Sequence, residues 1–363
     1  MENIFSLNEL LYFILALPIL FSVLAAANIM SLPILHWGDR LTATLTAIAA
    51  GLMIMQFDPE SPVHEGYFYI DALSLWMLCI ICLLYLAFAW TSKAYLDRDT
   101  NIRYGYLRRF SHLEGRFYAL SHIFVWTMML VVLVDSLGLM WVTVEATTLV
   151  SALLVAFKFT RTSLEAAWKY VMVCTVGICL ALLGTILVYY AQLTALGASQ
   201  PLDWAFLAAH GSDLSPGLAK MAFCFLFVGY GTKVGLAPMH AWLPDAHSEA
   251  PALTSGLLSG ALCICALYVL LRAIVVLMPA VGVDFISSLC IFFGLLTIAL
   301  AVPFVVVQRD VKRMLAYSSM ENFGLLAAGF GLFVPLAAEA SLLHMMNHAL
   351  VKYMLFYTAG TIM

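Results

Sequence analysis

Several ionisable side chains stand where a water-soluble fold would not put them. Glu145 sits in the run Leu139–Val150, flanked by Trp141, Val142, Val144 and Ala146, with no further charge among the dozen residues that follow. A carboxylate in such a run has a structural partner, exchanges protons, or does both, because a nearby ammonium favours the charged form of each group. Lys169, on the next apolar segment, is the obvious partner. Lys233 lies in Gly229-Tyr230-Gly231-Thr232-Lys233-Val234-Gly235-Leu236-Ala237-Pro238, where three glycines and a proline interrupt an apolar segment. Helices broken at membrane depth line cavities, and their half-helix ends supply dipoles that bind ions. A lysine held in such a break is suited to accepting and releasing a proton.

Two further clusters follow along the chain. His240, Asp245, His247 and Glu249 crowd into His240–Pro251 and read as a polar vestibule where protons enter. Two histidines separated by a proline kink fit no tight ligand spacing, so no metal is expected there. His344 and His348 are four apart and share a helix face, with Asn347 beside them, Lys352 one turn on, and Glu321 facing them from the preceding helix. Paired haem ligands would need matching histidines on a neighbouring apolar helix, and a hydrogen-bonded polar track fits better. The eight cysteines all fall in apolar runs, where Cys packs as a small hydrophobe. No iron–sulfur spacing exists, and no redox or catalytic cofactor of the chain's own is expected.

The elements that must carry these groups are membrane helices. The 363 residues are 64% hydrophobic and 10% charged, with a mean hydropathy of +0.98, far from the composition of a soluble domain. Apolar stretches long enough to cross the hydrocarbon core recur from end to end, and no stretch alternates as a membrane β-strand would. The reading is an all-α, polytopic bundle of about 11 transmembrane helices, near residues 8–28, 41–57, 70–92, 117–136, 138–158, 165–192, 216–244, 251–278, 283–307, 311–332 and 336–360. The second is diluted by Asp39, Arg40 and several threonines. The first follows Glu2 and Glu9 with no basic residue, so it is read as a retained helix and not a cleaved signal.

Of the 17 Lys and Arg residues, five (Lys169, Lys220, Lys233, Arg272 and Lys352) lie within or at the edge of helices. The rest fall in loops after odd-numbered helices: Arg40, the basic stretch from Lys93 to Arg116, Lys158 with Arg161, and Arg309 with Lys312 and Arg313. That asymmetry places the N-terminus outside the cytoplasm. Arg272 and Lys220, near helix ends, are expected to snorkel to the interface. Nucleic acid is not an expected partner. A faint echo joins Glu145 and Trp168-Lys169-Tyr170 with Glu321 and Val351-Lys352-Tyr353, as an inverted repeat would. The corresponding division is 1–116, helices 1–3 and a basic loop; 117–278, a first repeat; and 279–363, an incomplete second repeat.

Together, Val144-Glu145-Ala146-Thr147-Thr148-Leu149-Val150-Ser151, Ala166-Ala167-Trp168-Lys169-Tyr170, Gly229–Pro251, Arg309–Ser319 and His344–Lys352 resemble the antiporter-like subunits of respiratory complex I, Mrp antiporters and group 4 hydrogenases. Glu-Ala-Thr-Thr-Leu and Gly-Tyr-Gly-Thr-Lys look most like the component F branch of hydrogenase-4, of formate hydrogenlyase type. The resemblance implies a discontinuous seventh helix and a proton-carrying subunit in the inner membrane with no cofactor of its own. Its implied partners are neighbouring membrane subunits, a second antiporter-like subunit among them, and iron–sulfur, hydrogenase or quinone-reducing subunits beyond. It implies that Glu145 is the buried carboxylate of the fifth helix, Lys169 its ion-pair partner, Lys233 the central proton carrier, and His348 the histidine of the polar axis. Three departures stand out. Ile264 occupies the place of a second lysine on the eighth helix, Asn322 beside Glu321 that of a tenth-helix histidine, and relatives continue for three or more helices beyond this chain's last. A subunit of a sodium–proton antiporter or of an ion-driven solute transporter (inorganic carbon, for example), and a non-conducting scaffold, are the alternatives.

Overall fold

A computed structural model describes residues 6–27, 29–103, 110–197 and 201–362, and the side chains of these except 99–112. Arg108 and Arg109 of the basic loop, and Glu2, lie outside the described residues. The chain is helical nearly throughout. In order, α1 (Leu7–Ala26), α2 (Leu32–Gln56), α3 (Ala72–Arg103), α4 (Phe110–Leu133), α5 (Leu137–Val155) and α6 (Arg161–Leu196) precede a short α7 (Trp204–His210). Then come α8 (Pro216–Val234), α9 (Trp242–Glu249), α10 (Ala252–Leu257), α11 (Cys263–Val281), α12 (Val283–Val307), α13 (Val311–Gly331) and α14 (Pro335–Ile362). A single π-turn, Leu258–Leu262, joins α10 to α11. A small hairpin, β1 (Val63–Glu65) and β2 (Phe68–Ile70), pairs Val63 with Ile70 and turns at Gly66 between α2 and α3.

Among the described residues, seven helical stretches are long enough and apolar enough to cross a membrane: α1, α3, α4, α5, α6, the joined α10–α11, and α12. The long helices absent from that set, α2, α8, α13 and α14, carry Asp39, Lys233, Glu321 and Lys352 respectively. Their polarity follows from the groups they bring inside, and they pack with the apolar helices into one continuous core. The second helix begins nine residues before its expected start. Asp39 and Arg40, read as a loop, lie inside α2, and Asp39 is completely buried. Arg40 still belongs to the basic end, since it lines a groove there with Lys93 and Asp97.

The seam between α6 and α8 sets the position of the central lysine. A Cβ on Gly177 would meet the Thr232 side chain at 2.6 Å, and one on Gly229 would meet the Ala181 backbone nitrogen at 2.5 Å. Small residues at these two places let the helix backbones touch, as in other membrane helix pairs. α8 then ends where Gly235 turns left-handed at φ 92°, its N–H returning to the carbonyls of Gly231 and Thr232. The Trp242 indole donates to the Thr232 carbonyl at 2.8 Å, and the Ala237 N–H donates to Thr297 Oγ1 at 3.0 Å, so the break leaves these backbone groups paired.

At the opposite end of the bundle, Arg272 corrects an expectation. It does not snorkel. It is buried, and both terminal nitrogens reach Asp71 at 2.6 Å, while Nε donates to Tyr268 and the guanidinium lies 4.1 Å from the Trp204 ring centre. Asp71 stands just before α3. Burial alone would raise its pKa, but the hydrogen bonds and charge of Arg272, with those of Ser74, outweigh burial and hold it below the ordinary carboxylate value. The pair's stabilisation is therefore complete above the unfolded value of about 3.9 and is lost as pH falls through the lower folded value. Arg272→Ala should destabilise the protein by about 3 kcal/mol at neutral pH, and the gap should narrow as unfolding is measured at successively lower pH below 4; a gap that stays constant would contradict the pairing's role.

Candidate functional site

Lys233 lies in the last turn of α8 and is wholly inaccessible to solvent. Its ammonium donates to Thr148 Oγ1 at 2.5 Å and to Tyr170 Oη at 3.0 Å. Thr148 in turn donates to Glu145 Oε2 at 3.1 Å, and Thr175 donates to Glu145 Oε1 at 3.2 Å. Tyr170 Oη lies 2.7 Å from Ser151 Oγ. Glu145, Thr148 and Ser151 recur at a spacing of three on α5, so one helix face presents all three to α6 and α8. The Lys233 ammonium and the Glu145 carboxylate are thus joined through one hydroxyl, a bridge along which a proton can pass from nitrogen to Thr148 while the Thr148 proton moves to the carboxylate.

Lys169 is not part of this bridge. It is half exposed, and its ammonium pairs with Glu165 at 2.8 Å and Asp245 at 3.2 Å. Successive helical residues point about 100° apart, so Tyr170 turns into the core while Lys169 turns out. Hydrogen bonding and the charges of Glu165 and Asp245 bind the cluster together, and Arg313 reaches Asp245 from α13. With Thr162, Glu249 and Asp310 these residues line an open cavity of about 250 Å³. The expected vestibule is therefore divided along α9. Asp245 and Glu249 face this cavity, while His247 between them is completely buried and stacked 5.1 Å from Phe356. His240 is half-buried in the break between α8 and α9, its Nδ1 buried and without a hydrogen-bond partner among the described residues. Lys312, at the start of α13, closes the end of α9 by donating to the carbonyls of Ser248 and Ala250.

The C-terminal candidates come together on α13 and α14. His344 Nε2 is 2.8 Å from Asn322 Oδ1. Lys352 is buried and donates to the Leu315 carbonyl at 3.2 Å, with Glu321 the acidic group in Coulombic reach. Ser319 also donates to Leu315, and its hydroxyl lies 2.7 Å from Ser259 Oγ on the π-turn. His348 is buried against Phe323 and faces the Ser259 backbone without closing a normal hydrogen bond. A π-turn loosens the regular helical ladder, which is why such turns gather at working sites. Beyond Ser259 the same helix continues with Cys263, Ile264 and Cys265, all buried. The echo of Glu145–Lys169 in Glu321–Lys352 is not matched in surroundings, since Lys169 is exposed and Lys352 enclosed.

A family model described as NADH:quinone oxidoreductase/Mrp antiporter, transmembrane, matches residues 134–363, which hold every group just described. The chain belongs to that family. Among relatives of this antiporter family, the hydrogenase-4 component F homolog of Methylacidiphilum infernorum is 34% identical over 342 residues, 94% of this chain and 70% of that protein. Hydrogenase-4 component B of Escherichia coli is 29% identical over 322 residues, 85% of this chain and 45% of that protein. A chain of the membrane-bound sulfane sulfur reductase, an archaeal respiratory membrane complex, superposes with a TM-score of 0.83 at 22% identity, over 97% of this chain and 70% of that one. The family's fold is thus present here, with its seventh helix discontinuous at 235–241.

Sequence reasoning missed Thr148, Tyr170 and Ser151 as members of a hydrogen-bonded site, and set His247 in an open vestibule instead of the core. Thr148 and Ser151 carry a signal, their spacing of three and six from Glu145; the inward turn of Tyr170 and His247 carries none, because helix rotation decides their direction. The Thr148 bridge predicts a coupling. Thr148→Val should destabilise the protein by about 1–3 kcal/mol in the presence of Lys233, by stranding a buried donor, and by much less in a Lys233→Met background. Thermal or denaturant unfolding of the four proteins in one detergent measures this, and strictly additive effects would show that the bridge carries no energy.

Proposed function

We propose that this chain carries protons across the membrane as an antiporter-like subunit of a redox-driven complex of hydrogenase-4 or complex I type. The observation that carries the reading is the Lys233 ammonium, enclosed at the break of α8 and bonded to two hydroxyls, one of which leads directly to Glu145. A charge placed at the centre of a membrane helix costs roughly 2.5–3.5 kcal/mol on insertion scales. A fold that needed only stability would fill these positions with apolar side chains.

In this reading Lys233 exchanges its proton with Glu145 through Thr148. On the other side, Ser259, Ser319, Lys352, His348 and His344 form the continuation, with Glu321 as the acidic neighbour of Lys352. The stretch between Lys233 and Ser259 lacks the lysine that relatives have at Ile264, so water must complete it. His240 and His247 flank the entrance from the α9 side. The Lys169–Asp245–Arg313 cluster collects protons at the surface instead of pairing with Glu145. Moving one charge against 100 mV requires about 2.3 kcal/mol, which electron transfer in partner subunits supplies. Those partners are a neighbouring antiporter-like subunit and, beyond it, iron–sulfur, hydrogenase or quinone-reducing subunits of a complex in the inner membrane. In this reading the N-terminus lies outside the cytoplasm, on the support of the basic residues gathered at the end of α3 and the start of α6.

Lys233→Ala and Glu145→Gln, each assembled in its complex and reconstituted in vesicles, should abolish proton uptake coupled to electron transfer while the electron-transfer subunits remain bound. Undiminished proton movement in either variant would refute the reading, and movement that follows sodium instead would transfer the chain to the antiporter alternative.

A further inference from the structure

A second buried polar row crosses the N-terminal helices and shares no residue with the first. Asp39, wholly buried on α2, has Oδ1 2.9 Å from Nε2 of His122 on α4, itself wholly buried. The other imidazole nitrogen, Nδ1, is 2.5 Å from Tyr85 Oη on α3, and Phe21 of α1 closes the site with its ring 4.5 Å from the His122 ring. Ser92 donates to Asp39 Oδ2 at 2.8 Å, and Tyr118 Oη donates to Ser92 Oγ at 3.1 Å. His36 Nδ1 lies 2.9 Å from Tyr118 Oη, and its Nε2 is 3.6 Å from Glu114. The row therefore runs from Asp39 to a groove of about 310 Å³ at the basic end, which His36 lines together with Arg40, Lys93 and Asp97.

Interhelical hydrogen bonds in membranes average only about 0.6 kcal/mol, so gluing α2 to α4 explains neutral partners better than a carboxylate. Among the described residues, Arg40, the next residue, makes no hydrogen bond or ion pair with Asp39. Its guanidinium lies over Trp37 and Trp90, with ring centres 5.4 and 5.1 Å away. Among the described residues, the ionisable side chain that hydrogen-bonds Asp39 is His122. The pair needs at least one proton beyond those of a carboxylate and a neutral imidazole to carry no net charge, and that proton is exchangeable.

We propose that Asp39 and His122 form a second proton-binding site, filled from the basic end through His36, Tyr118 and Ser92, and independent of Lys233. Every donor in the row points the same way when His36 carries its proton on Nδ1. An imidazolium at His36 gives that proton to Tyr118, Tyr118 gives its own to Ser92, and Ser92 gives its own to the carboxylate. The products are a neutral His36, two hydroxyls reversed in direction, and one proton added to the Asp39–His122 pair; the row resets when the hydroxyls rotate back and the His36 ring turns Nδ1 to the groove, where hydronium reprotonates it. The inner end stops at Tyr85, which among the described residues has His122 as its hydrogen-bond partner, so the site stores a proton and does not conduct one through. Its tie to the principal row is the contact between Thr91 Oγ1 on α3 and Tyr353 Oη, 2.8 Å apart, next to Lys352 on α14.

Infrared spectroscopy of the full chain in lipid bilayers after a pH jump tests this without any transport assay. A carboxyl or imidazole protonation band should be present in the wild type, absent in Asp39→Asn, and unchanged in Lys233→Ala. Asp39→Asn keeps the size of the side chain and one acceptor oxygen, and its NH2 donates where the second carboxylate oxygen accepted. Tyr118→Phe, which keeps the ring and loses the hydroxyl, should leave the size of the band unaltered and slow its appearance at least about tenfold. A band that survives Asp39→Asn, disappears with Lys233→Ala, or forms at the wild-type rate in Tyr118→Phe would overturn the proposal. If Asp39→Asn does not fold, the Tyr118→Phe rate and the band in Lys233→Ala decide the matter.

Discussion

The architecture turns on one buried ammonium. Lys233 has three protons to donate and is wholly buried, so the bundle must supply acceptors where α8 stops. It does so with hydroxyls from two other helices, Thr148 on α5 and Tyr170 on α6. Those contacts require α6 and α8 to lie backbone to backbone, which Gly177 and Gly229 permit, and they require α8 to end in a left-handed turn at Gly235. The indole of Trp242 and the hydroxyl of Thr297 then satisfy the backbone groups the break exposes. A single charge in hydrocarbon thus dictates helix spacing, the position of the break and the loop that follows it.

The same compensation appears wherever the chain brings a charge inside. Arg272 is held by a bidentate carboxylate, Lys312 by the carbonyls that end α9, and Asp39 by an imidazole and a serine. Lys233 differs in being bonded to two side-chain hydroxyls, one of which leads on to its carboxylate, Glu145. A direct ion pair fixes a proton; a pair separated by a hydroxyl leaves both ends able to hold it. That contrast separates the Arg272–Asp71 pair, which braces the bundle, from Lys233 and Glu145, which are suited to moving protons through it.

Much of this is legible in the chain itself. Isolated charges in apolar runs identify Glu145, Lys233 and Lys352, and Gly-Tyr-Gly-Thr-Lys-Val-Gly followed by proline announces the break. What periodicity cannot supply is the rotation of one helix against another. Lys169 and Tyr170 are adjacent in the chain, yet one faces Asp245 at the surface and the other faces Lys233 in the core. The same ambiguity hides His247, whose neighbours two residues on either side face outward. Asp39 is obscured for a different reason: beside Arg40 and among threonines it has the composition of a loop, and only its partners on α3 and α4 show it to be interior.

The central claim is that Lys233 is enclosed by protein yet connected to water through a chain of exchangeable groups. Nuclear magnetic resonance of the protein in bilayers, with lysine labelled at Nζ, can follow exchange of the Lys233 ammonium protons for deuterium. The account predicts exchange within the time of catalytic turnover, slowed when Glu145 is replaced by glutamine. An ammonium that keeps its protons over hours, or exchanges with no dependence on Glu145, would contradict it.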